Sequence, residues 1–215
     1  MKTLKTELVF ILDRSGSMAG LESDTIGGFN TMLKKQKKES GEATVTTVLF
    51  DSEYDLLHDR FDIHNVRPIT GEQYFVRGST ALLDAIGRTI NKIANVQRNA
   101  SEKGRADKVL FVIITDGMEN ASREYSYPMI KKMIGFEKEK YGWEFLFLGA
   151  NIDADGVAEK YGIHKSRAVN YHADTQGLKN SYEKVNDAVR DVRRNKFNAG
   201  DWKKKAEEDF YERNK

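Results

Sequence analysis

Cysteine is absent from the 215-residue sequence, which excludes disulfide staples and every metal site built on thiolates. Long apolar runs are missing too, and nothing approaches the roughly 20 consecutive apolar residues of a membrane-spanning helix. The N-terminal MKTLKTELVFIL carries lysines and a short apolar run that Asp13 interrupts. That run is too brief for a secretory signal and lacks a small-residue cleavage site. The expected location is therefore cytoplasmic, with no membrane partner. Charge of one sign is not in excess, since 35 basic and 33 acidic residues leave a formal net charge of +2. Nucleic-acid binders carry a stronger basic bias, so no nucleic-acid partner is expected.

Several enzymatic and metal motifs are also missing. The histidines, His58, His64, His164 and His172, show neither H-x-x-x-H nor H-E-x-x-H spacing. No G-x-S-x-G nucleophile elbow surrounds Ser15 or Ser17, and no phosphate-binding P-loop occurs. NIDADG (151–156) opens like a calcium loop, but Gly162 stands where that loop needs a bidentate glutamate. Asp153 or Asp155 reads better as the cap of a following helix.

What is present is a core-forming chain, 39% hydrophobic and 32% charged, in the range of a soluble globular protein with salt-rich helix surfaces. LVFIL (8–12), VLFVII (109–114) and FLFLGA (145–150) are continuously apolar, the pattern of parallel strands covered on both faces. ATVTTVLF (43–50) is rich in β-branched residues. The charged stretch after it, across 53–63, suits an antiparallel edge strand reached through a tight turn. RAVNYH (167–172) reads as a last, peripheral strand.

Helical spacing lies between these runs. Ile26, Phe29 and Leu33 share a face, with Ser23 or Asp24 as the expected cap. Leu82, Leu83, Ile86, Ile90 and Ile93 form a second face. Pro128 opens a helix carrying Met129, Ile130, Met133, Ile134 and Phe136. Leu178, Tyr182, Val185, Val189 and Val192 form a clear stripe. In the charged tail, Trp202, Ala206 and Phe210 predict a terminal helix packed on the body. Alternating strands and helices give an α/β fold: a doubly wound, mostly parallel sheet with one antiparallel edge strand and helices on both faces.

Two strands end in polar clusters, Asp13-Arg14-Ser15-Gly16-Ser17 and Thr115-Asp116-Gly117, and a third loop carries Ser79 and Thr80 before a helix. In open α/β sheets functional groups gather at the carboxyl ends of strands, where strand order reverses. The short, hard oxygens of Asp13, Ser15, Ser17, Thr80 and Asp116 suit Mg²⁺ or Mn²⁺. Only two carboxylates would offset the ion, which leaves it electron-poor and able to accept a carboxylate from another molecule. The plainer alternative is capping: aspartate and serine in a glycine turn, and threonine before a helix, are common caps.

DRSGSM (13–18) resembles the D-x-S-x-S pattern of von Willebrand factor A domains. GST (78–80) resembles that family's threonine loop and TDG (115–117) its later aspartate, in matching order. By element order the resemblance covers roughly residues 5 to 190. It implies a domain over 1–195, with 196–215 as a charged helical extension packed on it, and a metal-ion-dependent adhesion site. Ser15, Ser17 and Thr80 would then be direct or water-bridged ligands, while Asp13 and Asp116 hold the metal or its waters. The implied function is non-enzymatic: a module binding a protein ligand that presents Asp or Glu. Arg14, Ser79, Gly117, Met118, Glu119 and Asn120 are expected on the partner-binding rim. Lacking a signal peptide and disulfides, the sequence is more similar to compact intracellular bacterial or phage members than to adhesion proteins.

The alternative is a Mg²⁺-dependent phosphotransfer enzyme on a similar sheet, with Asp13 as nucleophile. Such enzymes need a second acid two residues later, where this sequence has Ser15.

Overall fold

Strand β1 (Lys5–Asp13) lies at the centre of the sheet and pairs in parallel with β2 (Glu42–Phe50) on one side and β4 (Lys108–Thr115) on the other. The computed structural model describes residues 4–214. Beyond β2 runs β3 (Tyr54–Asp62), the one antiparallel strand of the sheet. Beyond β4 come β5 (Glu144–Ala150) and β6 (Ala168–Tyr171), both parallel. The order β3-β2-β1-β4-β5-β6 reverses direction between β1 and β4. This is the expected α/β architecture, and the reversal leaves a crevice at the carboxyl ends of those two strands.

Side-chain alternation along each strand divides the core into two layers. Leu8, Phe10 and Leu12 of β1, with Leu110, Val112 and Ile114 of β4, face α1 (Glu22–Gln36) and α5 (Thr175–Arg193). Val9, Ile11, Phe111 and Ile113 face α2 (Leu82–Asn99), α3 (Tyr127–Tyr141) and α4 (Ala154–Lys160). Every one of these strand residues is essentially buried. Burying a side chain of this size stabilises the fold by about 1.5–3 kcal/mol, so two layers amply explain why the central runs need no polar alternation.

Local details depart from the sequence expectation in three places. Helix α1 has Leu21 at its N-cap with no side-chain cap bond. Asp24 instead accepts a hydrogen bond from Thr175 Oγ1 at the start of α5 (2.8 Å), tying the two helices together. In α3 only Ile130 and Ile134 of the expected face are buried, while Met129 and Phe136 are exposed. The tail forms two short helices, α6 (Ala199–Ala206) and α7 (Glu208–Arg213), instead of one. The break falls at Glu207, whose carboxylate accepts the backbone N–H of Asn170 in β6 (3.1 Å). Trp202 is buried and donates its Nε1–H to Lys184 O (2.9 Å), and Phe210 stacks on His172. Among the described residues no helix is long and apolar enough to cross a membrane.

Helices α1 and α5 touch where Gly28 meets Tyr182, and a Cβ at position 28 would overlap that ring. Gly28→Ala is therefore expected to lower the unfolding free energy by about 1–3 kcal/mol, as overpacking does. The check is the urea midpoint at constant slope; an unshifted midpoint would show that the two helices separate freely.

Candidate metal centre

The register that pairs Leu12 with Ile114 sets Asp13 and Asp116 at adjacent strand ends. Asp13 turns its own loop: Oδ1 accepts the N–H of Ser15 (2.7 Å), while Oδ2 accepts the hydroxyl of Thr115 (2.5 Å). Its carbonyl oxygen takes a hydrogen bond from the buried hydroxyl of Tyr74. From there a string of oxygens crosses the crevice. Thr80 Oγ1 donates to Ser15 Oγ (3.0 Å), Ser15 Oγ lies 3.1 Å from Ser17 Oγ, and Ser17 Oγ donates to Asp116 Oδ1 (2.5 Å).

Asp13 caps its own turn through Ser15 N–H, whereas the three hydroxyls turn toward one another. Ser15 makes no side-chain cap bond to the short turn that follows it, and α2, with Ala81 at its N-cap, has none from that position. The hydroxyl of Thr80 points at Ser15 and not at the first turn of α2. The N-terminal amide of Leu83 is capped instead by Glu119 Oε2 (2.8 Å).

Two fasteners bring the three loops together. Arg14 is 1% exposed and pairs through Nε with the equally buried Asp51 at the end of β2 (2.9 Å). Its Nη1 reaches Asp55 Oδ2 and Gln73 O. Backbone bonds Gly16 N–H to Gly78 O (3.1 Å), Arg77 N–H to Arg14 O (3.0 Å) and Ala81 N–H to Asp51 O (2.9 Å) then run the threonine segment alongside the first loop. On the other side, Glu119 Oε1 accepts the N–H groups of Ala121 and Ser122. Asp84 of α2 accepts those of Arg123, Glu124 and Tyr125. Asn120 Oδ1 accepts the N–H of Thr80 (2.9 Å).

All five expected ligand residues thus lie in one crevice. The rim residues divide. Met118, 64% exposed, and the exposed Ser79 stand at the surface. Arg14 and Glu119 are turned inward as fasteners, and the Asn120 oxygen is spent on Thr80. Gly117 sits so close that a Cβ there would lie 3.1 Å from Ser17 Oγ and 3.4 Å from Thr80 Oγ1. Tyr74, Asp51 and Asp84 carry no motif and the sequence reading gave them no role; Thr115 lay within the TDG motif, but its bond to Asp13 was not foreseen. Only the acid that ends the β2 run, Asp51, was a visible signal.

The donor set fits a small hard cation. Asp116 Oδ2 is buried and has no hydrogen-bond partner, an arrangement that costs about 1–3 kcal/mol or more unless something compensates it. Each serine and threonine hydroxyl keeps lone pairs beyond the one bond it donates. Among the described residues no three acidic or histidine side chains group as a metal site; the oxygens here are two carboxylates and three hydroxyls, the set that suits Mg²⁺ or Mn²⁺ rather than softer ions.

Burial pushes the Asp13 carboxyl up from 3.8 to about 6, against hydrogen bonds from Thr115 and Ser15 that lower it. Burial also raises Asp116, against its bond from Ser17.

Neither a protein-family model nor a curated protein matches the sequence. Solved structures do resemble the fold. Proximal thread matrix protein 1 (PTMP1) from the mussel byssus superposes with a TM-score of 0.59 at 13% identity, over 87% of this chain and 47% of that one. A further PTMP1 structure, TM-score 0.58 at 13% identity, has a zinc-occupied MIDAS motif. The ArnB paralog VWA2 from Sulfolobus acidocaldarius gives 0.55 at 14% identity, over 85% of this chain and 46% of that one. The vWF domain of the type V pili tip protein Mfa5 from Porphyromonas gingivalis gives 0.61 at 12% identity, over 88% and 96%. The chain therefore spans about half the length of PTMP1 and VWA2 and nearly all of the Mfa5 domain. At these identities the likeness establishes the fold, which is that of von Willebrand factor A domains.

A carboxyl whose folded pKa is raised holds its proton more tightly folded than unfolded. Its favourable contribution is complete below the unfolded value near 3.8 and is lost as pH rises through about 6. In EDTA, wild type should therefore gain on the order of 1–2 kcal/mol over Asp13→Asn between pH 7 and pH 5. Parallel urea-denaturation profiles for the two proteins would contradict this environment for Asp13.

Proposed function

We propose that the chain is a divalent-cation-dependent protein-binding module. Asp13, Ser15, Ser17, Thr80 and Asp116 hold Mg²⁺ or Mn²⁺, and the partner is a protein that presents an aspartate or glutamate. When bound, the cation supplies an electron-poor position for that carboxylate. The observation that carries the reading is the convergence of five oxygens from three loops on a crevice where Asp116 Oδ2 has no partner. The chain's own part is to hold these oxygens still. Thr115 and the Ser15 amide orient Asp13, and the Arg14–Asp51 pair anchors the segment that delivers Thr80. Met118 and Ser79 remain at the surface to meet the partner. The fold shared with a protein whose MIDAS motif holds zinc supports the same reading.

The phosphotransfer alternative is disfavoured by the loop itself. Ser15 stands where such enzymes carry a second acid, and its hydroxyl is bonded to those of Thr80 and Ser17.

Mg²⁺ at a hundredfold excess over its Kd should raise stability by roughly 2.7 kcal/mol, read as a thermal shift that EDTA reverses. Ser15→Ala and Asp116→Ala should lose the shift while keeping the circular dichroism of the fold. An equal shift in either variant would remove the cation from this crevice.

Gly117→Val gives a second test, because its side chain would press on Ser17 Oγ and Thr80 Oγ1. Cation affinity should fall roughly tenfold or more, a change worth about 1.4 kcal/mol, with the fold retained. Titration calorimetry showing wild-type affinity would mean the ion does not use those hydroxyls.

A further inference from the structure

Met118 is, at 64%, the most exposed large apolar side chain among the described residues, and it belongs to neither layer of the core. On a loose loop such exposure would carry little meaning, but here the backbone on both sides is fixed. Gly117, just before it, closes on the crevice, where a Cβ would lie 3.1 Å from Ser17 Oγ. Asn120, just after it, donates its N–H to Thr80 O (3.0 Å) and accepts the N–H of Thr80 through Oδ1 (2.9 Å). The turn thus holds one flexible, polarizable apolar side chain in solvent beside the ligand hydroxyls. Methionine is a side chain that interfaces favour, because it adapts its shape and makes good contacts with aromatic rings.

The surface around it is low and carries no unengaged charge. Gly16, Ser17, Ala19 and Gly20 of the first loop, with Gly78 and Ser79 of the second, are exposed and small. In the three stretches that flank the ligands, 16–20, 75–80 and 117–120, the charged residues are Arg77 and Glu119. Arg77 pairs with Asp51 (2.8 Å) and Glu53 (3.0 Å). Glu119 accepts the backbone N–H groups of Leu83, Ala121 and Ser122 and the hydroxyl of Ser122. These stretches leave no free cation to meet an acid.

Charge then limits the occupant. When the ion is bound, its two positive charges are matched by ionised Asp13 and Asp116. One partner carboxylate already tips the site negative, and each further acid meets like charge with nothing on the rim to offset it. Resting on the cation-binding reading above, we infer that the partner presents a single acidic residue flanked by apolar, preferably aromatic, side chains, one of which packs on Met118. Met118, and not charge, then selects among partners that carry an acid.

The test uses full-length protein in Mg²⁺ and three acetylated pentapeptide amides, whose central aspartate is flanked on both sides by phenylalanine, glutamine or aspartate. Affinity is read by titration calorimetry. The phenylalanine-flanked peptide should bind roughly tenfold or more tighter than the glutamine-flanked one, and the aspartate-flanked peptide no tighter than the latter. EDTA should abolish all binding, and Met118→Ser should erase the advantage of phenylalanine over glutamine. That ratio is read within one protein, so it stands even where the variant changes overall affinity. Equal affinity for the phenylalanine and glutamine peptides, tightest binding of the aspartate-flanked peptide, or an undiminished ratio in Met118→Ser would overturn this inference and leave a cation-dependent carboxylate site in place. Binding that survives EDTA, or no binding of any peptide at millimolar concentration, would remove that site and the inference with it.

Discussion

Two carboxylates drawn out of water at the ends of neighbouring strands are the constraint on which the rest of this molecule turns. Asp13 and Asp116 are 1% and 2% exposed, and burial raises both pKa values. Desolvating a carboxylate is expensive unless charge or hydrogen bonds compensate. The protein supplies hydrogen bonds to three of the four carboxylate oxygens and leaves Asp116 Oδ2 bare. A fold selected only for stability would have filled this crevice with apolar side chains. The proposed cation would offset that cost in solvation.

Holding that arrangement requires rigid loops, and the surrounding chemistry is largely devoted to it. The ion pair of Arg14 and Asp51 is buried on both sides. Arg14 also reaches Asp55, and Asp51 also pairs with Arg77 (2.8 Å), so the pair is part of a wider charge cluster and not an isolated contact. That pair fixes the threonine segment, while Glu119 and Asp84 gather five backbone N–H groups of the 121–125 turn between them. The polar residues nearest the crevice are therefore mostly scaffolding. Of the expected rim, Ser79, Met118 and Asn120 are exposed.

The sheet was readable from the sequence because its central strands are apolar on both faces, and that pattern has one structural use. The antiparallel edge was readable from charge. The crevice was readable for a different reason: Asp13, Ser15, Ser17, Thr80 and Asp116 all fall at strand ends or just before a helix, where topology concentrates function. What stayed hidden were contacts between residues distant in sequence. Arg14 looks like a surface arginine until Asp51, 37 residues later, is placed beside it. Glu119 looks like a rim acid until its oxygens are traced to Leu83 and Ser122. The break at Glu207 depends in the same way on β6, and no helical periodicity in the tail could announce it.

The most direct measurement is an anomalous difference map from crystals grown with Mn²⁺. The account predicts one strong peak in the crevice, within roughly 2.0–2.3 Å of oxygens from the 13–17 loop and bridged directly or through water to Thr80 and Asp116. A map without a peak there, or with the ion bound to other side chains, would contradict it.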